Sequence, residues 1–346
     1  MYVGWRCSVE PVITGTETLT EPPQVGVTSG PAKPGPSVSR SPTRIALERL
    51  RKDKVAMTCL GIFVFFVLVA IFAPLLAKLE GQDPTSYNFD LIDKRTTFPY
   101  SGASSDHWFG VEPRLGRDLF ARWVYGARPS LLVAGIVTVV TTILGVVLGL
   151  IAGFFSGWID RVLSWVIDFI LSLPYLIFAI ATPAVIISVI YGGSEGTSPE
   201  QVARVRFISL ILVLSFFGWA GLARLIRGQV LSLREREFIA AARVLGVPTR
   251  RVLFRELLPN LIAPIVVSAS LALPGYIVAE AGLTFLGVGL MDPTPSWGVT
   301  IASAQNYYDT YPLWLWVPVL GITILVLALS LLGDAVRDAF DPKTRR

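Results

Sequence analysis

Apolar residues gather in six long runs along the chain, at 55–76, 129–154, 162–190, 207–230, 261–286 and 313–332, with polar stretches between them. Each run meets the roughly 20 residues a helix needs to cross the hydrocarbon core of a bilayer, allowing for tilt. The pattern predicts an all-α, polytopic protein with six transmembrane helices. The third run is the longest, and Trp158 and Trp165 near its start predict that it begins as an interfacial helix. Residues 1–46 are rich in Pro, Gly, Ser and Thr without aliphatic periodicity, a composition that buries too little surface to offset ordering entropy. They are expected to form a disordered tail. The first apolar run starts only after Lys54, too late for the core of a secretory signal, so it is expected to stay as an anchor.

One stretch between runs is neither apolar nor loop-like. Glu235 to Pro259 reads EREFIAAARVLGVPTRRVLFRELLP. Phe238, Ala241, Ala242 and Leu245 fall at i, i+3, i+4 and i+7, one narrow apolar stripe, while Arg236 and Arg243 share another face with Glu235 nearby. Gly246 and Pro248 predict a stop, with Thr249 capping a second helix that carries Arg250, Arg251, Arg255 and Glu256 and ends at Pro259. Amphipathic helices on lipid headgroups are one reading of this segment. Yet two of the four stripe residues are alanine, where a lipid-binding helix wants Leu, Phe or Trp. Small residues admit another protein surface closely, which favours docking.

Composition supports the membrane assignment and narrows the chemistry. Hydrophobic residues make up 53% of the 346 and charged residues 16%, with a mean hydropathy of +0.60. One histidine and two cysteines, Cys7 in the tail and Cys59 at the start of a span, leave no basis for a metal cluster or a shared disulfide. No phosphate-binding GxxxxGK[ST] loop occurs, so nucleotide hydrolysis by this chain is not expected. The formal charge of +5 lies mostly beside the apolar runs, a signature of topology rather than of nucleic-acid binding. Placing Arg49, Arg51, Lys52, Lys54, Arg161, Arg224, Arg227, Arg234, Arg243, Arg250 and Arg255 inside requires both termini to face the cytoplasm, and residues 288–312, which lack Lys and Arg, then lie outside. The resulting plan is a cytoplasmic tail at 1–46, an anchor and first span at 47–77, an extracytoplasmic loop at 78–128, a five-helix core at 129–334 and a cytoplasmic end at 335–346.

Several positions in this plan carry candidate chemistry. Gly145, Gly149, Gly153 and Gly157 recur every fourth residue, a ridge on which another helix can sit closely. Asp168 and Glu280 are ionisable residues at or inside the membrane, where an unpaired charge costs about 3 kcal/mol or more. Such residues should face the bundle interior, as substrate contacts, ideally to a peptide amino terminus, as a hydrogen-bonded gate, or as buried polar clamps to backbone or a partner subunit, with an interfacial position the further alternative for Asp168. Pro174, Pro183, Pro264 and Pro274 allow kinks in the third and fifth spans, and Phe216, Phe217 and Trp219 read as packing. In the long loop, His107 beside Trp108 reads as a surface or packing residue, and Arg117 with Asp118 as a local pair of little worth if exposed. Asp334, Arg337, Asp338 and Asp341 oppose Val336, Ala339 and Phe340, predicting a short C-terminal helix.

The stretch from Glu235 resembles the EAA loop of binding-protein-dependent ABC permeases. The triplet falls on Ala240, Ala241 and Ala242, the following Gly on Gly246, and the Leu-Pro ending on Leu258 and Pro259, with Ala240 where that motif has Glu. Four further segments, HWFGVEPRLGRDLFARWVYGARPSL from His107, the run from Gly221 to Arg236, AEAGLTFLGVG from Ala279 and PTPSWG from Pro293, resemble the dipeptide/oligopeptide/nickel permease family and its C-type subunit. LLGDAVRDAFDP from Leu331 completes the set.

This resemblance implies a type I ABC importer permease fold in the inner membrane of a prokaryote, and a function in moving short peptides. It implies four kinds of partner: a second, homologous permease, two ATP-binding subunits, an extracytoplasmic substrate-binding protein and the peptide itself. ATP and Mg would be held by the ATP-binding subunits, with no cofactor bound by this chain. Glu235, Arg236, Glu237, Phe238, Ala241, Ala242, Arg243, Leu245, Gly246, Arg250, Arg255, Glu256 and Pro259 would form the coupling segment that receives the ATPases. The same fold could import nickel chelates or glutathione. From a different class, a proton-coupled transporter would use Asp168 or Glu280 as proton carrier.

Overall fold

The computed structural model describes residues 42–192 and 197–341, which are helical throughout their ordered elements and contain no strand, only isolated bridges such as Ile92 with Pro99. Most of the expected N-terminal tail, Cys7 included, lies outside the described residues. Its last part does not: helix α1 spans Pro42–Lys52. Ala46 is buried and Leu50 half-buried, and the Arg49 guanidinium donates to the Asp341 carbonyl at 3.4 Å. A tertiary contact with the far end of the chain thus orders residues whose composition favours disorder. Asp53 separates α1 from α2 (Lys54–Glu80), accepting from the Val55 and Ala56 amides at 2.8 and 3.2 Å and so capping the first span.

Helix α3 (Leu119–Phe154) begins ten residues before the expected 129, with Pro129 inside it. Arg122 and Arg128 hide this extension from hydropathy. Both find partners within the fold, Arg128 at the Ala70 carbonyl at 2.7 Å and Arg122 at Asp292, described below. The third run is not one continuous helix. It divides into α4 (Trp158–Ser172) and α5 (Tyr175–Tyr191), bent by 86°. Pro174 has no amide proton and pushes Leu173 out of the helical region, to ψ 138°.

Helix α6 (Pro199–Leu233) starts with a reciprocal Ser198–Gln201 capping box. Then come α7 (Glu237–Val244), a single turn α8 (Thr249–Arg251), a π-helical turn Val252–Leu257, α9 (Leu258–Phe285), α10 (Trp297–Ala304) and α11 (Pro312–Phe340). Among the described residues, five helices are long and apolar enough to cross a membrane, and a sixth if the bent pair counts as one. The short C-terminal helix expected at 334–341 is instead the end of α11, which runs unbroken to Phe340 because nothing in it stops a helix.

At the loop end of the bundle, Phe66 of α2 sits edge-on to Trp123 of α3 and Trp297 of α10, with centroids 6.1 and 5.7 Å away. The Trp297 indole donates to the Trp123 carbonyl at 2.9 Å. At the opposite end, Leu150, Ile226, Val230, Ile239, Val252, Leu257 and Leu261 form a second apolar cluster that joins α3, α6, α7 and the base of α9.

Candidate functional site

That second cluster holds α7 in place. Ile239 is fully buried in it, with Ala242 and Val247 packed alongside. The opposite face points away from the fold: Val244 is 88% exposed, Leu245 80% and Phe238 43%, and Ala240 and Ala241 are exposed beside them. The stripe read from the sequence therefore splits, Ala242 turning inward and Phe238, Ala241 and Leu245 outward. Ile239 as anchor and Val244 as the most exposed member went unread, although Ile239 and Ala242 at i and i+3 carried the signal. Helix α7 ends as expected. Gly246 adopts φ +71°, and the Gly246 and Val247 amides donate to the Arg243 and Ala242 carbonyls, both at 3.0 Å.

The second helix departs from expectation. Pro248, not Thr249, occupies the cap position, and no side chain caps it. Nor does this helix end at Pro259, since residues 249–285 form one continuous element. Pro259 cannot donate to a carbonyl one turn earlier, and the π turn just before it widens the spiral where the ring would clash; the Leu258 amide reaches back to the Leu253 carbonyl. Glu235, Arg236, Glu237, Arg250 and Arg255 are exposed around α7 and α8, while Glu256 is half-buried. Arg234 and Arg243 reach the end of α3: Arg234 donates to the Gly153 carbonyl at 3.2 Å, and the Arg243 guanidinium lies 5.0 Å from the Phe154 ring centre.

The glycine ridge is real over three of its four positions. A Cβ on Gly145 would come within 2.9 Å of Leu222, on Gly149 within 2.7 Å of the Ala223 carbonyl, and on Gly153 within 2.6 Å of Val230, all on α6. Gly157 is different: space around it is open, and its φ of +89° makes the turn into α4.

Asp168 is not buried among this chain's own helices. Its side chain is 65% exposed and pairs with Arg224 at 2.5 Å. One turn and more earlier, Asp160 accepts two bonds from Arg227, at 2.6 and 3.1 Å, with both side chains under a third exposed. These two rungs tie α4 to α6. Asp160 went unread because its partner lies 67 positions away. Glu280 is fully buried. Ser130 on α3 donates to its Oε2 at 2.6 Å and Thr284 to its Oε1 at 3.1 Å, and Thr284 Oγ1 in turn accepts the Leu290 amide at 3.1 Å. This geometry is a clamp between α3 and α9.

At the loop end, Arg117 and Asp118 do not pair with each other. Arg117 bonds Glu112 and reaches Asp292 at 2.8 Å, and Arg122 reaches the same Asp292 oxygen at 3.1 Å. Asp118 caps α3 through the Ala121 amide at 2.6 Å and holds His107 Nδ1 at 2.9 Å. Burial pushes the Glu112 carboxyl up, against the pull of Arg122 and Arg117. Burial acts on Asp292 in the same sense, yet Arg122 and Arg117 together hold it below the usual carboxylate range.

Among the described residues, five or six helices long and apolar enough to span a bilayer, with the short exposed helix α7 anchored to them, define a polytopic membrane protein. Residues 145–346 match the family described as binding-protein-dependent transport system inner membrane component, and residues 41–96 match the N-terminal TM domain of oligopeptide transport permease C. The chain belongs to the binding-protein-dependent transport system inner membrane component family, and it is a multi-pass permease component of an ABC importer. Permeases of this class work with ATP-binding subunits and a substrate-binding protein and are generally non-catalytic.

The chain is 36% identical to the dipeptide transport system permease protein DppC of Alkalihalophilus pseudofirmus, over 88% of this chain and 91% of that one. It is 32% identical to the oligopeptide transport system permease protein OppC of Bacillus subtilis, over 87% and 90%. The glutathione transport system permease protein GsiD of Shigella dysenteriae is 34% identical over 90% and 93%. Among solved structures, the inward-facing methionine ABC transporter MetNI aligns with a TM-score of 0.48 at 19% identity, covering 64% of this chain and 96% of that one.

Proposed function

We propose that this chain forms half of the transmembrane pore of an ATP-driven importer of short peptides in the cytoplasmic membrane of a prokaryote. A second, homologous permease supplies the other half. Both termini and α7 face the cytoplasm, where two ATP-binding subunits dock, and the loop end receives peptide from an extracytoplasmic binding protein. ATP and Mg are held by the ATP-binding subunits, and this chain makes and breaks no bonds.

The observation that carries this reading is α7 itself: a short helix fixed from below by fully buried Ile239, with Val244 and Leu245 presented outward. An exposed apolar tip on a rigid stem, ringed by Glu235, Arg236, Glu237, Arg250 and Arg255, is the form of a helix that inserts into a partner's groove. With Ala240 in place of the motif's Glu, the grip rests on that apolar face and the turn at Gly246. Nucleotide-driven closure of the ATPase pair then pulls on α7 and shifts the spans between inward-open and outward-open states.

Peptides as substrate are supported by the names carried by the dipeptide and oligopeptide relatives. The likeness to a glutathione permease supports a second reading, since glutathione is itself a modified tripeptide. Proton coupling is disfavoured by geometry: both Glu280 oxygens are engaged and Asp168 is held at the surface by Arg224. ATP-dependent uptake by the complete reconstituted complex, across dipeptides, longer peptides, glutathione and a nickel chelate, tests the assignment. Uptake driven by a pH gradient without ATP would overturn it.

A further inference from the structure

Apolar contact alone holds a helix loosely, because burial has no preferred direction and tolerates sliding. Ile239 roots α7 in a cluster shared by α3, α6 and α9, so burial does not decide which of these helices α7 moves with. Two directional contacts do, and both go to the last two residues of α3. Arg234, just before α7, donates to the Gly153 carbonyl at 3.2 Å. That carbonyl is among the last four of the helix, which have no partner within it and carry the negative end of its dipole. Arg243, in the last turn of α7, places its guanidinium 5.0 Å from the Phe154 ring centre, within the range of a cation–π contact. The two arginines hold the end of α3, Arg234 from the C-cap of α6 just ahead of α7 and Arg243 from the last turn of α7.

Helix α3 is also the helix that cannot slide on α6. Gly145, Gly149 and Gly153 bring the two backbones close enough that any Cβ would collide, and the Asp160–Arg227 and Asp168–Arg224 rungs add α4 to the same unit. By contrast, the covalent route from α7 to α9 passes through Gly246 at φ +71° and a π turn, both points of backbone irregularity.

We propose that Arg243 on Phe154, with Arg234 on Gly153, forms a joint through which α7 drives α3, α4 and α6 as one block, so that motion enters the bundle at α3 rather than along the chain into α9. Arg243 and Phe154 are positioning residues here, acting through α7 without touching substrate. The inference rests on α7 being the surface that receives the ATP-binding subunits.

The test uses the complete complex in proteoliposomes, with both permeases, the ATP-binding subunits and the binding protein. The readout is the ratio of substrate moved to ATP hydrolysed. Phe154→Leu should keep its ATP-binding subunits and basal hydrolysis while that ratio falls by about fivefold, the scale of mutations along a coupling route, and Arg243→Gln should lower the ratio at least as far. The double variant should be no worse than either single one. Arg243→Lys and Phe154→Tyr, which preserve a cation over a ring, should restore the ratio. An unchanged ratio in Arg243→Gln and Phe154→Leu, additive losses in the double variant, or loss of the ATP-binding subunits from Phe154→Leu would overturn the joint. The docking reading fails separately, if Leu245→Asp keeps its ATP-binding subunits.

Discussion

Ser130 and Glu280 are 150 positions apart in sequence, yet the Ser130 hydroxyl lies 2.6 Å from the Glu280 carboxylate in a site with no solvent exposure. Glu280→Ala leaves the Ser130 and Thr284 hydroxyls without their acceptor, at about 1–3 kcal/mol for each unsatisfied buried group. The purified complex should unfold at a lower temperature in a thermal melt. Glu280→Gln keeps an acceptor oxygen and should retain ATP-driven uptake; loss of uptake with stability intact would point to a proton-carrying role instead.

The exposed tip of α7 predicts a loss of partner rather than a loss of fold. Leu245→Asp places a charge on an 80% exposed side chain, which the isolated chain tolerates but an apolar groove does not. Co-purification of the ATP-binding subunits should fall more than tenfold, as a penalty above about 1.4 kcal/mol requires, with expression of the permease unchanged. Arg at Ala242, which faces inward, should instead lower expression.

Gly149→Ala puts a Cβ 2.7 Å from the Ala223 carbonyl, forcing α3 away from α6 at a cost of about 1–3 kcal/mol. Gly157→Ala meets nothing, but strains a backbone at φ +89° and ψ −133°, costing about 1–3 kcal/mol. Thermal melts should show both losses. A bulkier residue should deepen the first strongly and the second hardly at all.

Of the two rungs between α4 and α6, the doubly bonded and better buried Asp160–Arg227 pair should dominate. A double-mutant cycle on melting should give about 1–2 kcal/mol of coupling for a partly buried bidentate pair of this kind. Asp168–Arg224, more than half exposed, should give about 0–1 kcal/mol.

Asp292, held below the usual carboxylate range by Arg122 and Arg117 against the effect of burial, predicts an acid response at the loop end. A depressed folded-state value contributes stability that is fully present above the unfolded value of about 4 and is lost as pH falls through the lower folded value. Limited proteolysis of the loop between α2 and α3 should therefore accelerate only below about pH 4. Asp292→Asn should be cut faster at neutral pH and show a weaker acid dependence.

Much of this was legible in local sequence. Runs of apolar residues set the spanning helices, because a bilayer demands about 20 residues in a row whatever surrounds them. Gly246 set the end of α7, because its left-handed conformation favours glycine, and the four-residue glycine period set the α3 ridge at Gly145, Gly149 and Gly153. Pro174 was visible too, but hydropathy cannot distinguish a kink from an 86° break.

What only the tertiary structure decided is where polar groups find partners. Glu280 was readable as costly to bury, yet its role as a clamp depends on Ser130 in another helix. Asp168 turned out to be a surface rung because Arg224 stands beside it, and Arg117 chose Glu112 and Asp292 over its neighbour Asp118. Ile239 became the root of α7, leaving Val244 and Leu245 outward. Local composition and periodicity fix which segments are helical and which cross a membrane, because those depend on each segment's own backbone and solvent. Pairing of charges, and the face a helix presents, depend on residues tens to hundreds of positions away that only folding brings within a few ångströms.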